Sequence, residues 1–256
     1  MTLLRRAFTW AIVSASLLAP LSAGAQSAAS ASADDEWHFQ FGLPLWMPSL
    51  SGDVSTPLFP DIPVDLPFSE VLDNLHFAIM AHAEARKGQM GFAADLLYVN
   101  VDASIPTDRR PPSLQAVKIG MKQTFVEGFG FYRVIQQESE QNGAFADLIV
   151  GARYYWTETS LDNRSDSFSW VDLMLGARGH IPLGTHFGFD LRGDMAFLGS
   201  SFTYNLLGDA AWRFSPHWAV SLGYRYMNID KSSGDLGARL WNVSYHGPML
   251  GVSFDF

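Results

Sequence analysis

The sequence predicts an all-β chain closed into a single antiparallel transmembrane barrel, with ten strands expected and eight or twelve as the alternatives. Three observations carry this. Long segments alternate apolar with polar or small side chains, aromatic residues gather near the ends of the apolar faces, and no apolar run beyond the N-terminus is long enough for a membrane helix. Period-two alternation makes a strand with two chemically different faces. Soluble strands usually run about five or six residues. These run longer, which suits a tilted bilayer crossing, and only a closed barrel satisfies every backbone group in hydrocarbon. A soluble sandwich or lipocalin-like barrel is the alternative.

The composition narrows the function classes. The chain has 256 residues, 26 acidic against 17 basic, a net charge of -9 and no cysteine. The acidic balance argues against a nucleic-acid partner, because neutralising phosphates takes clustered Lys and Arg. Without cysteine there are no disulfides, thiolate zinc sites, iron-sulfur clusters or Cys nucleophiles.

At the N-terminus, Arg5 and Arg6 precede an apolar stretch from Ala7 to Leu18, then Pro20 and the small residues Ser22-Ala23-Gly24-Ala25. This order predicts a secretory signal peptide over 1–25, cleaved after Ala25, because the apolar core is shorter than the roughly 20 residues a spanning helix needs. Cleavage removes two Arg and no acid, leaving 15 basic and 26 acidic residues, a net of -11. Residues 26–35 read as a flexible leader and 36–256 as the barrel.

The strands follow in order. Phe39, Phe41, Leu43 and Leu45 oppose His38 and Gln40; Phe77, Ile79, Ala81, Ala83 and Ala85 oppose His82, Glu84 and Arg86; Phe92, Leu96 and Tyr98 oppose Asp95. Over 116–134 the phase is fixed only by Glu127 and Arg133, which puts Phe125, Phe129 and Phe131 on the charged side. The later strands cover 144–156 with Asp147 and Arg153 on the polar face, 170–183 with Asp172, Arg178 and His180, and 187–197 with Asp190, Arg192 and Asp194. Then come 202–214 with Asp209 and Arg213, 217–229 with Arg225, and 247–256 with Asp255. On the last two, Trp218, Val220, Leu222, Tyr224 and Tyr226, and Leu250, Val252, Phe254 and Phe256, form the apolar faces.

Connections alternate in length. Residues 87–89, 183–186 and 215–216 read as tight turns and 135–143 as a modest one, against longer links at 49–75, 102–114, 157–167, 198–201 and 230–240. Short turns face the periplasm in such barrels, and an even strand number puts both chain ends there. The first link is unusual. Leu58, Phe59, Ile62, Val64, Leu66, Phe68, Val71, Leu72 and Leu75 are too apolar for a loop in water, and Ser69 is placed to cap a short helix over 70–75. The expectation is a lid folded over or into the barrel mouth, stiffened by Pro60, Pro63 and Pro67.

The inward charges are nine acids, Glu84, Asp95, Glu127, Asp147, Asp172, Asp190, Asp194, Asp209 and Asp255, and seven arginines, Arg86, Arg133, Arg153, Arg178, Arg192, Arg213 and Arg225. Near balance predicts a packed polar core in which carboxylates and guanidinium groups pair across strands. A narrow channel lined by opposite charges is the other reading. His38, His82 and His180 share that face without the close spacing of a zinc motif, so they read as polar-core residues, with no metal and no cofactor expected. Ser244 and His246 share a face near the outer interface, but no acidic orienting partner is identifiable, so no catalytic residue is assigned.

Phe254 and terminal Phe256, in alternation at the end of an exported chain, resemble the C-terminal signature of bacterial outer-membrane β-barrels that the barrel assembly machinery recognises. Leu45-Trp46-Met47-Pro48 with Ser51-Gly52-Asp53-Val54, Val71 to Leu75, Ala85-Arg86-Lys87-Gly88, Gly223-Tyr224-Arg225-Tyr226 and Gly247-Pro248 extend the likeness over nearly all of 37–256. The set resembles proteobacterial outer-membrane proteins of the broad porin-like and OmpA/OmpW-like barrel group. That resemblance implies the Gram-negative outer membrane, its lipids and the assembly machinery as partners, and neither a reaction nor a ligand. The expected role is structural in the cell envelope, with limited narrow-pore passage of small solutes. The alternatives are a lipid-acting acyl hydrolase and a surface recognition protein working through its loops.

Overall fold

The computed structural model describes residues 36–55, 62–103, 119–137, 143–161, 164–231 and 240–256. The predicted signal peptide, the leader, and residues 58–61 of the expected lid lie outside them. The described residues are almost entirely strand: β1 (Trp37–Trp46), β2 (Ser49–Ser55), β3 (Ile62–Leu66), the short α1 (Phe68–Asp73), β4 (Leu75–Lys87), β5 (Met90–Ala103) and β6 (Ile119–Gln136). They continue with β7 (Phe145–Leu161), β8 (Arg164–Pro182), β9 (Phe187–Phe197), β10 (Phe202–Arg213), β11 (Trp218–Lys231) and β12 (Leu240–Asp255).

Strands β1 and β4 to β12 pair in sequence, each antiparallel to the next, and β12 returns to β1. This is a closed barrel of ten strands, as predicted, with β2 and β3 as additions beside β12. Closure is completed by Phe39 and Phe256, whose backbones exchange hydrogen bonds of 2.9 and 3.0 Å. The tight turn between β4 and β5 depends on Gly88, whose φ of 59° suits the first position of a two-residue hairpin.

The faces are distributed as hydrocarbon requires. On β8, Val171, Leu173 and Leu175 are about half exposed, at 53, 50 and 46%, while Asp172 and Met174 between them are wholly buried. Leu222 on β11 faces Leu250 on β12 across the outer surface, both open. A soluble fold would invert this arrangement. Phe125, Phe129 and Phe131 lie inward with Glu127, as the charge phase of β6 predicts.

Three expectations are corrected. The predicted link over 49–75 contains the β2–β3 hairpin. The register of β1 against β12 runs on unbroken into β2, with Trp46 opposite Met249 and Ser49 opposite His246, so β1 and β2 are one strand line interrupted at Met47 and Pro48. The helix begins at Phe68, one residue before the expected cap. Pro67 occupies the N-cap and its carbonyl accepts from the Glu70 and Val71 backbones, which leaves Ser69 inside the first turn. Finally, the link expected at 157–167 is mostly strand, because β7 and β8 pair as far as Leu161 opposite Arg164. Their extensions are polar enough to read as loop, yet Thr157 and Thr159 point into the barrel and are buried.

Candidate functional site

The lumen is filled by two chemically distinct layers. The first is an ionic belt. Glu127 on β6 accepts from Arg153 at 2.8 Å, Arg192 at 2.5 Å and Arg225 at 3.2 Å. Arg153, with no exposed side-chain surface, also reaches Asp194 at 2.7 Å. Asp194 further accepts from Arg192 at 2.9 Å and from the Asn205 amide at 2.8 Å. Arg192 extends the network to Asp95 at 3.1 Å, and Asp95 in turn meets His82 at 2.6 Å. A neighbouring group centres on Asp147, which takes a two-pronged bond from Arg133 at 2.8 and 3.2 Å and another from Arg178 at 3.1 Å. Each buried carboxylate of this belt therefore faces guanidinium forks, the geometry that makes buried charge tolerable.

The inward phenylalanines have a role that the charge pattern alone does not reveal. Arg133 lies over Phe145 at 3.8 Å, Arg178 over Phe131 at 4.1 Å, Arg192 over Phe129 at 4.6 Å, and Arg225 over Trp46 at 4.7 Å. The rings lie against the guanidinium groups and add cation–π attraction to the ion pairs.

Several predicted lumen residues lie apart from that belt. Among the described residues Asp172 meets no arginine; it accepts from the Gly199 and Ser200 backbones at 2.8 and 2.6 Å and from the Ser200 hydroxyl at 2.6 Å, clamping the turn between β9 and β10. The reason is height, since the β8–β9 ladder ends at Leu173 opposite Phe197 and Asp172, in mid-β8, stands level with the turn that follows β9. Asp190 pairs with His180 at 2.8 Å, and Asp209 faces Asp190 across the ladder and bonds to Ser221. Arg86 donates to the Gly88 carbonyl at 2.9 Å. At the rim near the chain ends, Arg213 reaches Asp255 at 2.7 Å, and Gln40 also donates to Asp255 at 2.7 Å.

The second layer is an apolar plug at the opposite end of the barrel, where the sequence predicts only a polar lumen. Phe125, Tyr155, Trp170, Met227, Trp241 and Tyr245 are buried there together. Tyr155 stacks on Trp170 with ring centres 4.6 Å apart, and the Tyr245 hydroxyl accepts from Gln123 at 2.8 Å and Trp241 at 3.1 Å. The first link contributes to it. Leu50 and Val54 of β2 are buried in the cluster, and Val64, Leu66 and Val71 pack against it. A cavity of about 780 Å³ runs from the rim past Glu127, Arg178 and Arg192 of the belt, bounded by His38, Arg213 and Asp255 near the chain ends and by Trp46, Phe125 and Met249 on the underside of the plug.

Ser244 and His246 face outward on β12. The serine hydroxyl is engaged with Tyr226 and Asn228, each at 3.0 Å, and the His246 Nδ1 with Tyr224 at 2.9 Å. The imidazole also stacks on Tyr226. Among the described residues, no group of three His, Asp or Glu side chains is arranged to hold a metal ion. At the C-terminus, Phe256 stacks on Phe39 and Phe41, and Phe254 packs on Trp218 at 4.8 Å between ring centres.

A closed antiparallel barrel with an apolar outer belt and an ionic interior defines the class: the molecule is an outer-membrane-type β-barrel. No family model matches the chain, and no curated protein matches it. Among solved structures it is similar to Neisserial surface protein A, with 15% identity over 86% of this chain and 97% of that one and a TM-score of 0.37. It is also similar to Ail, the attachment invasion locus protein of Yersinia pestis, with 12% identity over 88% and 100% and a TM-score of 0.36. For the translocator domain of the autotransporter NalP from Neisseria meningitidis, the identity is 10% over 85% and 86%, with a TM-score of 0.36.

Proposed function

We propose that the chain is a structural barrel of the bacterial outer membrane, exported by a signal peptide cleaved after Ala25, whose lumen is closed to ions. The observation that carries this reading is the two-layer filling. Arg153, Asp147 and Asp194 side chains in the belt and Tyr155, Met227 and Ile229 in the plug are sealed from solvent. A water-filled pore keeps its lining hydrated, whereas these side chains pair with each other. The start of β1 and the end of β12 lie at the rim of the cavity, and with that rim on the periplasmic side the cavity faces the periplasm and the plug faces outward. Outer-membrane lipids cover the apolar belt, and Phe254 and Phe256 serve the assembly machinery. Ser244 and His246 belong to the outer aromatic girdle, where their partners are Tyr224, Tyr226 and Asn228.

Planar-bilayer recording of the refolded protein tests closure. The expected trace has no stable steps. Reproducible discrete conductance from the unaltered chain overturns the closed reading and favours the narrow channel.

A further inference from the structure

The wall of the barrel is not hydrogen-bonded all the way round. Among the described residues, the ladder between β1 and β4 ends at Gly42 opposite His82. The next ladder on that edge of the β1–β2 line begins at Leu50, and its partner is Leu66 of β3 instead of β4. Residues 43–48 lie between, roughly 20 Å of strand edge at the usual rise per residue, and above them the Ser49 hydroxyl accepts the Phe68 N–H at 3.0 Å.

The sequence explains why the edge stays open. Alternate residues of a strand direct their backbone groups to opposite neighbours. Phe39 and Met47 both donate their N–H groups to β12, to the carbonyls of Phe256 and Pro248, so the backbones of residues 44, 46 and 48 point the other way, toward β4. Two of those three are Pro44 and Pro48, which have no N–H to donate. The third, Trp46, donates its N–H to the Met80 sulfur at 3.2 Å in place of a carbonyl. Leu45-Trp46-Met47-Pro48, with Pro44 before it, thus encodes an edge that cannot zip to its neighbour.

The seam joins two apolar regions at mid-wall. On the outside it is flanked by Leu43, Leu45 and Ile79, exposed at 67, 48 and 45%. On the inside, Pro44, Trp46 and Met80 line the 780 Å³ cavity. Trp46 is 3% exposed, and its indole N–H has no hydrogen-bond partner among the described residues, while the Arg225 guanidinium lies over its ring at 4.7 Å. A buried donor beside a cation suits an anionic oxygen, and the apolar flanks of the seam suit a hydrocarbon chain.

We propose that this seam is a lateral portal, through which a single-chain amphiphile with an anionic oxygen head moves between the membrane and the lumen cavity. The head takes the Trp46 N–H beneath the plug and the chain lies in the seam between Leu43 and Ile79. The inference rests on the reading of the chain as a membrane barrel with a closed lumen; it adds a route that bypasses the plug.

The test uses the full barrel refolded in phosphatidylcholine vesicles and a dansyl-labelled medium-chain carboxylate as probe. The parent protein is expected to show saturable dansyl emission above protein-free vesicles. Trp46→Phe, which keeps an aromatic ring and removes the donor, lowers probe affinity at least about tenfold, as for one hydrogen bond to a charged group. The chain has no natural cysteine, so Pro44→Cys with Met80→Cys can be closed by oxidant, and oxidation is expected to reduce binding at least tenfold with recovery on reduction. A second variant, Pro44→Thr with Pro48→Thr, restores both donors and reduces binding without any crosslink. Absence of saturable binding to the parent, or unchanged binding in both seam variants, overturns the portal. A folded, non-conducting barrel that binds no probe defeats the portal alone, whereas stable ion conductance defeats the closed-lumen reading.

Discussion

Arg178 on β8 grips Glu84 on β4 with both ends of its guanidinium group, at 2.5 and 2.9 Å, across 94 residues of sequence. Three strands, β5, β6 and β7, lie between the two in the barrel order, so the bond spans the lumen and ties one wall to another. The same arginine reaches Asp147 on β7, which makes it a junction between the ion pair and the rest of the belt.

Breaking one half of this grip leaves a mostly buried charge without its principal partner. Arg178→Met is expected to destabilise the barrel by about 3 kcal/mol, and the double change with Glu84→Met to recover most of that loss, because replacing both charges by apolar groups removes the desolvation penalty. Urea titration in lipid vesicles followed by tryptophan fluorescence reads both values. Equal destabilisation by the single and the double variants would show that the pair is not a unit.

Position on the outer belt sets a different penalty. Leu222→Arg places a cation in the apolar belt opposite Leu250, and the expected cost is about 2–4 kcal/mol if the site stands near the bilayer midplane. The refolding equilibrium in vesicles against the parent gives the number. A change near zero would place Leu222 outside the hydrocarbon.

Asp172 acts on the turn between β9 and β10. Asp172→Ala frees the Gly199 and Ser200 N–H groups and the Ser200 hydroxyl. Leu198, beside them, holds a φ of 93°, a region that favours glycine. The variant is expected to admit proteolysis at 198–201 in the folded barrel, with a global loss of about 1–3 kcal/mol. Limited proteolysis with mass analysis decides it, and an unchanged cleavage pattern would remove the clamp from the account.

The plug is testable by truncation. Tyr245→Ala removes a buried ring and the acceptor shared by Gln123 and Trp241, with an expected cost of about 3 kcal/mol. Combined with Tyr155→Ala and Trp241→Ala it is expected to raise ion leakage through bilayers from silence to measurable steps. Continued silence from a properly folded triple variant would mean that the ionic belt alone closes the lumen.

The legible part of this fold is the part where charge marks phase. Glu127 and Arg133 fix the inward face of β6, and with it the inward placement of Phe125, Phe129 and Phe131. The membership of the belt follows in the same way, although pairing across the lumen depends on register that no single strand contains. The plug is hidden for the opposite reason. Around Tyr155, Met227, Ile229 and Val243 the inward positions are apolar too, so both parities look alike and the period fades. The β2–β3 hairpin is masked by Ser, Gly and Pro, which read as loop when a strand is short. Asp172 is readable as inward, but its role as a turn clamp depends on its height in the barrel. The spacing of Pro44 and Pro48 becomes meaningful only once the direction of the β1 backbone is known.

The central claim is that apolar side chains face lipid and ionic ones face each other, and spin-label accessibility along β11 tests it most directly. Single cysteines introduced from Ala219 to Met227 need no background substitutions, since the chain contains none of its own. Nitroxides at Val220, Leu222 and Tyr224 are expected to collide freely with oxygen and poorly with a water-soluble nickel chelate, while those at Ala219, Ser221 and Gly223 show low oxygen accessibility, giving a period of two. Strong nickel accessibility at Leu222 together with high oxygen accessibility at Ser221, or no alternation at all, would contradict the account.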